Sequence, residues 1–453
     1  MQSKVSELYN KFVKCGSREA LIFADVSYTY EDLLHHSFSI MHDMYDRGLR
    51  KGDRIGIILG NSAEYIFSYF ACMFGGFTAF PMNPDMPESF TEGLLVDVEP
   101  AFVIDDRYEY ELKTAHSTPD ISDDDIFAVF HTSGTTSKPK GLCFTADRMI
   151  GNVEAFNDLT GLDEKTVMLH VMPMSYMAGF LNTVLSPLCA EGKVVISDKF
   201  SAASAMFFWE KGLRHSCNTI WMSPSMVALV TRVTRSEEVI KKVSTDMKYV
   251  FVGTASLKDV VRKPFEDKFG IDCLESYGMS EILLVSVNTP ENNRKGSVGE
   301  LLGGVSIEPD EDELLINTEY VCESYFKLDD KISMPFKTGD IGHLEDGSLY
   351  ITGRKKDIII HGGYNISPSA VEQALEKYSG VEESCVVGVE SEFWGEDVIG
   401  FVKSDRELDC ADVIKFVRKH LPADAVPQSV IQIENMPRNE NGKILKNKLK
   451  EML

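Results

Sequence analysis

Residues 130–145 read Phe-His-Thr-Ser-Gly-Thr-Thr-Ser-Lys-Pro-Lys-Gly-Leu-Cys-Phe-Thr. The apolar runs 126–130 and 142–144 on either side predict two short buried strands. The loop between them carries five hydroxyl side chains, two glycines and two lysines, which offer a phosphate tail many donors and positive charge. An ordinary polar loop has a similar composition. A Walker A loop differs, because its Gly-Lys-Ser/Thr opens a helix, whereas here Lys140-Gly141 precedes a strand.

Around this loop, strand-like and helix-like segments alternate, which predicts parallel sheets covered by helices. Strands are predicted near 55–59, 77–81, 101–104, 166–171, 193–197, 218–222 and 248–252. Helices are predicted near 31–47, 62–74, 146–157, 177–190, 202–213, 224–232 and 257–269. Shorter strands follow at 296–299, 313–316 and 348–352. The expected fold is α/β: a large N-terminal domain (1–354) of mostly parallel sheets plus a β-subdomain, then a small mobile α+β C-terminal domain (355–453).

Composition narrows the class of protein. The chain has 453 residues, a net charge of −24 and a pI near 4.9, which argues against a nucleic-acid partner. Nine cysteines form no Cys-x-x-Cys pair, which is typical of reduced thiols in a cytoplasmic protein. The sequence has no apolar run of 18 residues, so no membrane span is expected. The ten histidines show no metal-binding spacing.

The stretch Thr132-Ser133-Gly134-Thr135-Thr136, with Lys138-Pro139-Lys140-Gly141, resembles the signature of the adenylate-forming superfamily. That superfamily contains acyl- and aryl-CoA synthetases, luciferases and the adenylation domains of non-ribosomal peptide synthesis. Matches to further motifs follow in the same order over most of the chain. The resemblance implies that the loop, including Lys140, binds the ATP phosphates and that Thr135 helps to hold a magnesium ion.

Residues 275–281, Glu-Ser-Tyr-Gly-Met-Ser-Glu, resemble the superfamily's Tyr-Gly-x-Thr-Glu motif, with Ser280 in place of threonine. The resemblance implies Tyr277 against adenine, Ser280 near phosphate and Glu281 on magnesium, and it places Ser276, Gly278 and Met279 in the same ATP/AMP-binding site. A carboxylate suits this hard ion, although a turn with a solvated glutamate has the same sequence. The turn Gly253-Thr254-Ala255 resembles the segment that lies along adenine and the acyl group.

Four later segments complete the resemblance. Asp340 and Arg354 match the ribose-binding pair, and Lys356, two residues on, matches the hinge about which the C-terminal domain turns. Gly362 and Gly363 match the loop that lines the thiol tunnel. Lys443 matches the lysine that bridges the carboxylate and the α-phosphate, where it neutralises two anions that must meet.

The identity of the carboxylic acid substrate is the feature that the sequence indicates least clearly. Tyr176 stands where many acyl-CoA synthetases have histidine, and we take Lys443, Glu281 and Tyr176 as the catalytic side chains. Ala178 stands where amino-acid-activating members have aspartate, so an α-amino acid is disfavoured because its ammonium would be unpaired. The predicted acid pocket is largely apolar and comprises Met177, Ala178, Met279 and Leu283.

These features predict an acid–thiol ligase that uses ATP, Mg²⁺ and a carboxylic acid. The thiol is CoA or the phosphopantetheine of an acyl or peptidyl carrier protein. One alternative is a stand-alone adenylation enzyme that loads a carrier protein. Another is a nucleotide-binding relic of the fold without catalysis.

Overall fold

The computed structural model describes residues 3–113, 122, 124–131, 140–308, 313–328, 332–391, 393–438 and 444–453. The predicted loop residues Thr132, Ser133, Gly134, Thr135 and Thr136 lie outside these ranges, as does Lys443. The helices are α1 Lys4–Cys15, α2 Tyr30–Asp46, α3 Ala63–Gly75, α4 Glu88–Val98, α5 Ala146–Thr160, α6 Met177–Phe180, α7 Ser186–Cys189, α8 Phe208–Arg214, α9 Pro224–Val233, α10 Glu237–Asp246, α11 Asp259–Phe269, α12 Pro368–Glu376, α13 Cys410–Val417 and α14 Lys446–Lys450.

The strands are β1 Glu19–Phe23, β2 Val26–Thr29, β3 Arg54–Ile58, β4 Thr78–Met82, β5 Phe102–Ile104, β6 Ile126–His131, β7 Gly141–Thr145, β8 Val167–His170, β9 Lys193–Ile196, β10 Thr219–Met222, β11 Tyr249–Val252, β12 Cys273–Met279, β13 Leu283–Val287, β14 Glu300–Leu301, β15 Val305–Glu308, β16 Leu315–Thr318, β17 Ser324–Tyr325, β18 Phe336–Lys337, β19 Asp340–Glu345, β20 Ser348–Arg354, β21 Ile359–His361, β22 Tyr364–Ile366, β23 Glu383–Ser391, β24 Gly395–Lys403 and β25 Ser429–Gln432.

One long sheet runs β19-β20-β14-β13-β12-β11-β10-β8-β9-β1-β2. Its inner strands β12, β11, β10, β8, β9 and β1 are parallel, with Thr219 opposite Tyr249 and Val250 opposite Cys273. The runs 219–222 and 249–252 are buried along their whole length. Such continuous apolar runs form strands that helices cover on both faces.

Three further sheets complete the described part of the chain. One runs β17-β7-β6-β4-β3-β5, and its strands β6 and β7 flank the predicted phosphate loop. A small sheet runs β15-β16-β18. The C-terminal sheet contains β21–β25 and is packed by α12 and α13. The predicted α/β class is therefore confirmed, while the domain boundary at 354/355 stays a prediction.

Two predicted elements were wrong in detail. The helix expected over 177–190 is divided, because α6 and α7 are separated by a π-helical turn, Leu181–Leu185. The strand expected over 296–299 is a turn, since Gly296 and Gly299 have φ values of +87° and +88°. Sequence reasoning also missed the helices α1, α4 and α10.

None of the described helices is long and apolar enough to cross a membrane. All nine cysteines are described, and each is unpaired. Eight of them are buried, which agrees with the predicted reduced thiols.

Candidate active site

The carboxyl ends of four neighbouring parallel strands meet at one edge of the long sheet. β10 ends just before Ser223, and β11 ends just before Gly253. β12 carries Tyr277 near its C-terminal end, and the chain after β8 leads to Tyr176. Parallel sheets bind their ligands at this edge. The structure therefore brings together the predicted segments 253–255 and 276–281, and β8 leads from the same edge towards the segment 176–178.

Asp340 is the best-organised polar group at the site. It is 2% exposed and lies directly opposite Arg354 in the β19–β20 ladder. The Arg354 Nε lies 2.7 Å from its Oδ1, and the Tyr277 hydroxyl donates to its Oδ2 over 2.6 Å. Burial raises the pKa of the Tyr277 phenol, so this hydroxyl stays protonated. A carboxylate oxygen has a second lone pair, so Asp340 can still accept from ribose hydroxyls.

Glu281 lies in the turn between β12 and β13, and its backbone carbonyl accepts from the Cys322 N–H over 2.8 Å. Burial raises the pKa of its carboxyl, and the charges of Lys140 and Arg354 oppose that shift. The Nζ of Lys140 lies 4.9 Å from the centre of the Tyr325 ring. A half-buried carboxylate near two cations is typical of a functional site.

The turn after β11 has strained backbone. Thr254 is exposed and has a φ of +70°, which is uncommon for a residue with a β-carbon. A β-carbon on Gly253 would lie 2.8 Å from the Ser276 Oγ and 3.1 Å from the Trp221 Nε1. Only glycine therefore fits at position 253, where the turn lies in close contact with Ser276 and Trp221.

The predicted acid-pocket residues fall into two groups. Met177 and Leu283 are buried in one apolar cluster, and Ala178 and Tyr176 pack against it. Met279 instead packs with Tyr277 against a second cluster, which contains Ile282. Burial raises the pKa of the Tyr176 phenol, which therefore remains a neutral hydroxyl.

The predicted hinge and tunnel residues lie in the linker and first hairpin of the C-terminal part. Lys356 is exposed in a short 3₁₀ turn, Lys355–Asp357, between β20 and β21. Gly362 and Gly363 have φ values of +59° and +86° and form the turn between β21 and β22. The Gly362 N–H donates to the Trp394 carbonyl over 2.7 Å. Their roles as hinge and tunnel stay predictions.

Sequence reasoning missed two buried polar side chains near this edge. His170 ends β8, and its Nδ1 lies 2.6 Å from the Thr183 Oγ1, which itself donates to the Gly179 carbonyl. The histidine Nδ1 must therefore carry a proton, and burial lowers the pKa of the imidazole to about 3. Trp221 is the second, with 1% of its surface exposed. Both lie in apolar strands, where their sequence signal is that of core residues.

A third missed residue is Lys258, which follows the 253–255 turn. Its Nζ lies 2.6 Å from Glu376 and 3.2 Å from Glu372 on α12, and it donates to the Ser384 carbonyl over 2.8 Å. Burial alone would lower the pKa of this lysine, but the two carboxylates raise it above its ordinary value. Lys258 therefore connects the edge of the long sheet to α12.

Two protein-family profiles match this chain along most of its length. The profile described as "AMP-binding enzyme" matches residues 10–118 and 105–315, and "AMP-binding enzyme C-terminal domain" matches 370–443. A sulfoacetate–CoA ligase of Cupriavidus necator is 28% identical over 71% of this chain and 66% of its own length. A 2-succinylbenzoate–CoA ligase of Bacillus pumilus is 24% identical over 99% of this chain and 98% of its own.

A solved structure shows the same fold. The O-succinylbenzoate coenzyme A synthetase of Bacillus subtilis, in complex with ATP and magnesium ion, superposes with a TM-score of 0.84. The match covers 99% of each chain at 24% sequence identity. At that identity the likeness establishes the architecture.

Proposed function

Because the chain belongs to the AMP-binding enzyme family, the adenylate-forming superfamily, we propose that it is an AMP-forming acid–CoA ligase. The single observation that carries this proposal is the Tyr277–Asp340–Arg354 cluster at the carboxyl edge of the parallel strands. That cluster presents a buried carboxylate, oriented by two donors, beside a strained turn and the carboxylate of Glu281. The named CoA ligases among its relatives support the choice of thiol.

The first half-reaction forms an acyl-adenylate. A carboxylate oxygen of the acid bonds to the α-phosphorus of ATP, the bond from that phosphorus to the pyrophosphate oxygen breaks, and pyrophosphate leaves. Asp340 holds the ribose, and the turn 253–255 with Tyr277 holds the base. We assign phosphate binding to Lys140 and to the hydroxyl side chains of residues 132–136. Lys443 neutralises the two anions that approach one another, as preorganised charge does in other transition states.

Magnesium fits the described donor set. Among the described residues no three carboxylate, histidine or cysteine side chains converge on one point. Mg²⁺ commonly takes one or two protein carboxylates, phosphate oxygens and water, so Glu281 with Thr135 would suffice to hold it. When bound, the ion neutralises phosphate charge.

The second half-reaction transfers the acyl group. The thiol sulfur bonds to the acyl carbon, the bond from that carbon to the AMP oxygen breaks, AMP leaves, and the thiol proton passes to solvent. Since Lys443 is not needed in this step, rotation about Lys356 can carry it away and bring the Gly362-Gly363 turn to the site. Two arrangements of one small domain then serve two reactions.

The test is ATP–pyrophosphate exchange with Mg²⁺ against pooled short, medium and long fatty acids and aryl, hydroxy and amino acids. We expect exchange in a pool of small non-amino acids. If no pool gives exchange and the protein still retains labelled ATP on ultrafiltration, the result would instead support the hypothesis of a nucleotide-binding protein without catalysis.

The acceptor is resolved by adding a thiol to the active pool. Saturable thioester formation with CoA is expected. Transfer to a phosphopantetheinylated carrier protein, with no response to CoA, would replace the ligase by a stand-alone carrier-loading enzyme. A cytoplasmic location belongs to the same proposal, and the unpaired cysteines support it.

A further inference from the structure

Asn61 connects the six-stranded sheet to the long sheet at the edge where the candidate site lies. It follows β3 of the six-stranded sheet and precedes α3. Its Nδ2 donates to the Met172 carbonyl over 2.8 Å and to the Ser197 carbonyl over 3.1 Å. Its Oδ1 accepts from the Met174 N–H over 3.0 Å. One side chain therefore binds the segments that follow β8 and β9, two strands of the long sheet.

Tyr69, in α3, holds the segment after β8 as well. Its hydroxyl donates to the Met174 carbonyl over 2.9 Å, so side chains bind both backbone polar groups of Met174. The Tyr69 ring stacks on Phe180, with the ring centres 4.0 Å apart. Tyr69 and Met174 are at most 1% exposed. The six-stranded sheet and α3 therefore fix the position of the chain at Met174.

Residues 172–179 then form a tightly closed loop. The Tyr176 N–H donates to the Pro173 carbonyl over 3.1 Å. A β-carbon on Gly179 would lie 2.0 Å from the Pro173 carbonyl oxygen, so only glycine fits there. Tyr176 and Ala178, which we assign to the acid site, lie within this 172–179 loop. A displacement of Met174 would therefore displace Tyr176 as well.

Asn218 makes similar contacts at the opposite end of β8. Its Oδ1 accepts from the Val167 N–H over 2.9 Å, and its Nδ2 donates to the Lys165 carbonyl over 2.8 Å. Both asparagine side chains are half-buried. Parallel sheets bind their ligands at the carboxyl ends of their strands, and Asn218 acts where β8 begins. Of these two asparagines, only Asn61 acts at the end of β8 where the candidate site lies.

We propose that Asn61 is a positioning residue for the carboxylic acid: it holds the 172–179 loop so that Tyr176 and Ala178 form a wall of the acid pocket. This inference rests on the proposed function and deepens it, because it assigns recognition of the acid in part to a residue of the other sheet. Asn61 acts through the loop and not by contact with the acid or ATP. Its loss should weaken recognition of the acid and spare that of ATP, since the proposed adenine and ribose residues lie in other segments.

The test measures ATP–pyrophosphate exchange with Mg²⁺ for the wild-type protein and Asn61→Ala. The acids are benzoate and the straight-chain acids from acetate to octanoate. KM is measured for the acid that the wild-type protein uses best and, at saturating acid, for ATP. In Asn61→Ala we expect KM for the acid to rise about tenfold, because hydrogen bonds that hold the loop are lost. KM for ATP should stay within about twofold of the wild-type value.

The matched control is Asn218→Ala, which removes the same side chain at the other end of β8. It should leave both KM values within about twofold of wild type, even if its thermal unfolding midpoint falls as far as that of Asn61→Ala. An equal rise of both KM values in Asn61→Ala, or the same rise of the acid KM in Asn218→Ala, would mean a structural role and would overturn the proposal.

Asn61→Asp and the wild-type protein provide tests that do not depend on the alanine variant. The aspartate keeps the acceptor for the Met174 N–H but turns a carboxylate oxygen towards the Met172 and Ser197 carbonyls, so the acid KM should rise at least as much as in Asn61→Ala. In the wild-type protein, hydrogen–deuterium exchange should be slow at the Met174 and Tyr176 amides. Rapid exchange there would show that the loop is not held, and would overturn the proposal without any variant.

The outcomes also separate this inference from the proposed function. If the wild-type protein gives exchange with none of these acids, the proposed activity on small non-amino acids fails, and the role of Asn61 fails with it. If the wild-type protein gives exchange and Asn61→Ala leaves KM for the acid unchanged, the ligase proposal stands and the role of Asn61 is wrong.

Discussion

At the scale of single residues, Glu275 is a buried carboxyl group directly beneath the candidate nucleotide site. It is 6% exposed, and its Oε1 accepts from the Leu257 N–H over 3.0 Å. Burial raises the pKa of Glu275 to about 7; the charge of Arg262 opposes this shift and that of Asp259 adds to it. The hydrogen bond to Leu257 connects β12 to the loop that contains Gly253 and Lys258.

Glu275→Gln should therefore stabilise the protein at pH 8. The folded state binds the Glu275 proton more tightly than the unfolded chain, so the carboxyl costs stability as the pH rises from about 4.5 to about 7. Glutamine keeps an acceptor for Leu257 and avoids that cost. We expect a higher thermal unfolding midpoint at pH 8 and a difference that vanishes near pH 4.5, measured by calorimetry across that range. A constant difference at all pH values would contradict the argument.

Lys443→Ala tests the division of labour between the two half-reactions. Pyrophosphate exchange should fall about a hundredfold or more, because a charge aimed at the transition state is lost. Thioester formation from supplied acyl-adenylate should remain largely intact. The exposed Lys448, in α14, provides the matched control Lys448→Ala, which should change neither rate. Equal loss of both half-reactions in Lys443→Ala would refute the two-arrangement mechanism.

At the scale of secondary-structure elements, the β12–β13 hairpin positions both Tyr277 and Glu281. Its register shifts between Tyr277 and Gly278, and Gly278 lies opposite Leu284. A β-carbon on Gly278 would be 2.4 Å from the Leu283 carbonyl oxygen, so the two strands can approach only with glycine there. Leu283 itself has a φ of +57°, and the strain lies at the end of the turn that contains Glu281.

Gly278→Ala should force these strands apart and displace the two functional side chains. A shift of about 1 Å can cost about a hundredfold in rate, and we expect a loss of that order in pyrophosphate exchange. Gly303→Ala is the control, because nothing lies within 4 Å of its added β-carbon. Unchanged exchange in Gly278→Ala would show that the hairpin does not position the site.

At the scale of the whole molecule, Lys258 connects the long sheet to the C-terminal part. Glu372 and Glu376 are themselves held to β23, where they accept from the Val386 N–H and the Ser384 hydroxyl. The two carboxylates that bind Lys258 are therefore already held in position by hydrogen bonds to β23. A charge pair of this kind stabilises the described arrangement of the two parts relative to any other.

Lys258→Met should therefore change the balance between the half-reactions. Without the lysine, Glu372 and Glu376 lose their partner, and the described arrangement becomes less favourable relative to the rotated one. We expect the ratio of pyrophosphate exchange to thioester formation to change by about tenfold. Lys295→Met is the matched control, since Lys295 pairs with Glu266 and Asp272 within the N-terminal part. Equal effects of Lys258→Met on both half-reactions would show that these ion pairs do not favour one arrangement over the other.

The amino-acid sequence by itself determined the fold class and the pairing of Asp340 with Arg354. Strand positions such as 219–222 and 249–252 follow from continuous apolar runs, which are local signals. Asp340 and Arg354 were paired from motif spacing, and the β19–β20 register places them opposite one another. The divided helix at 177–190 was not predictable, because its π turn lies beside the buried contact of His170 with Thr183.

The tertiary structure alone decided which residues meet at the edge of the long sheet. Trp221 lies in β10, Ser276 lies in β12 and Gly253 follows β11, and each looks ordinary in its own segment of sequence. Lys258 likewise forms ion pairs with carboxylates more than a hundred residues away, and 118 residues separate it from Glu376. Such contacts depend on strand order and packing, for which a single sequence has no local pattern, because the side chains that meet are never neighbours along the chain.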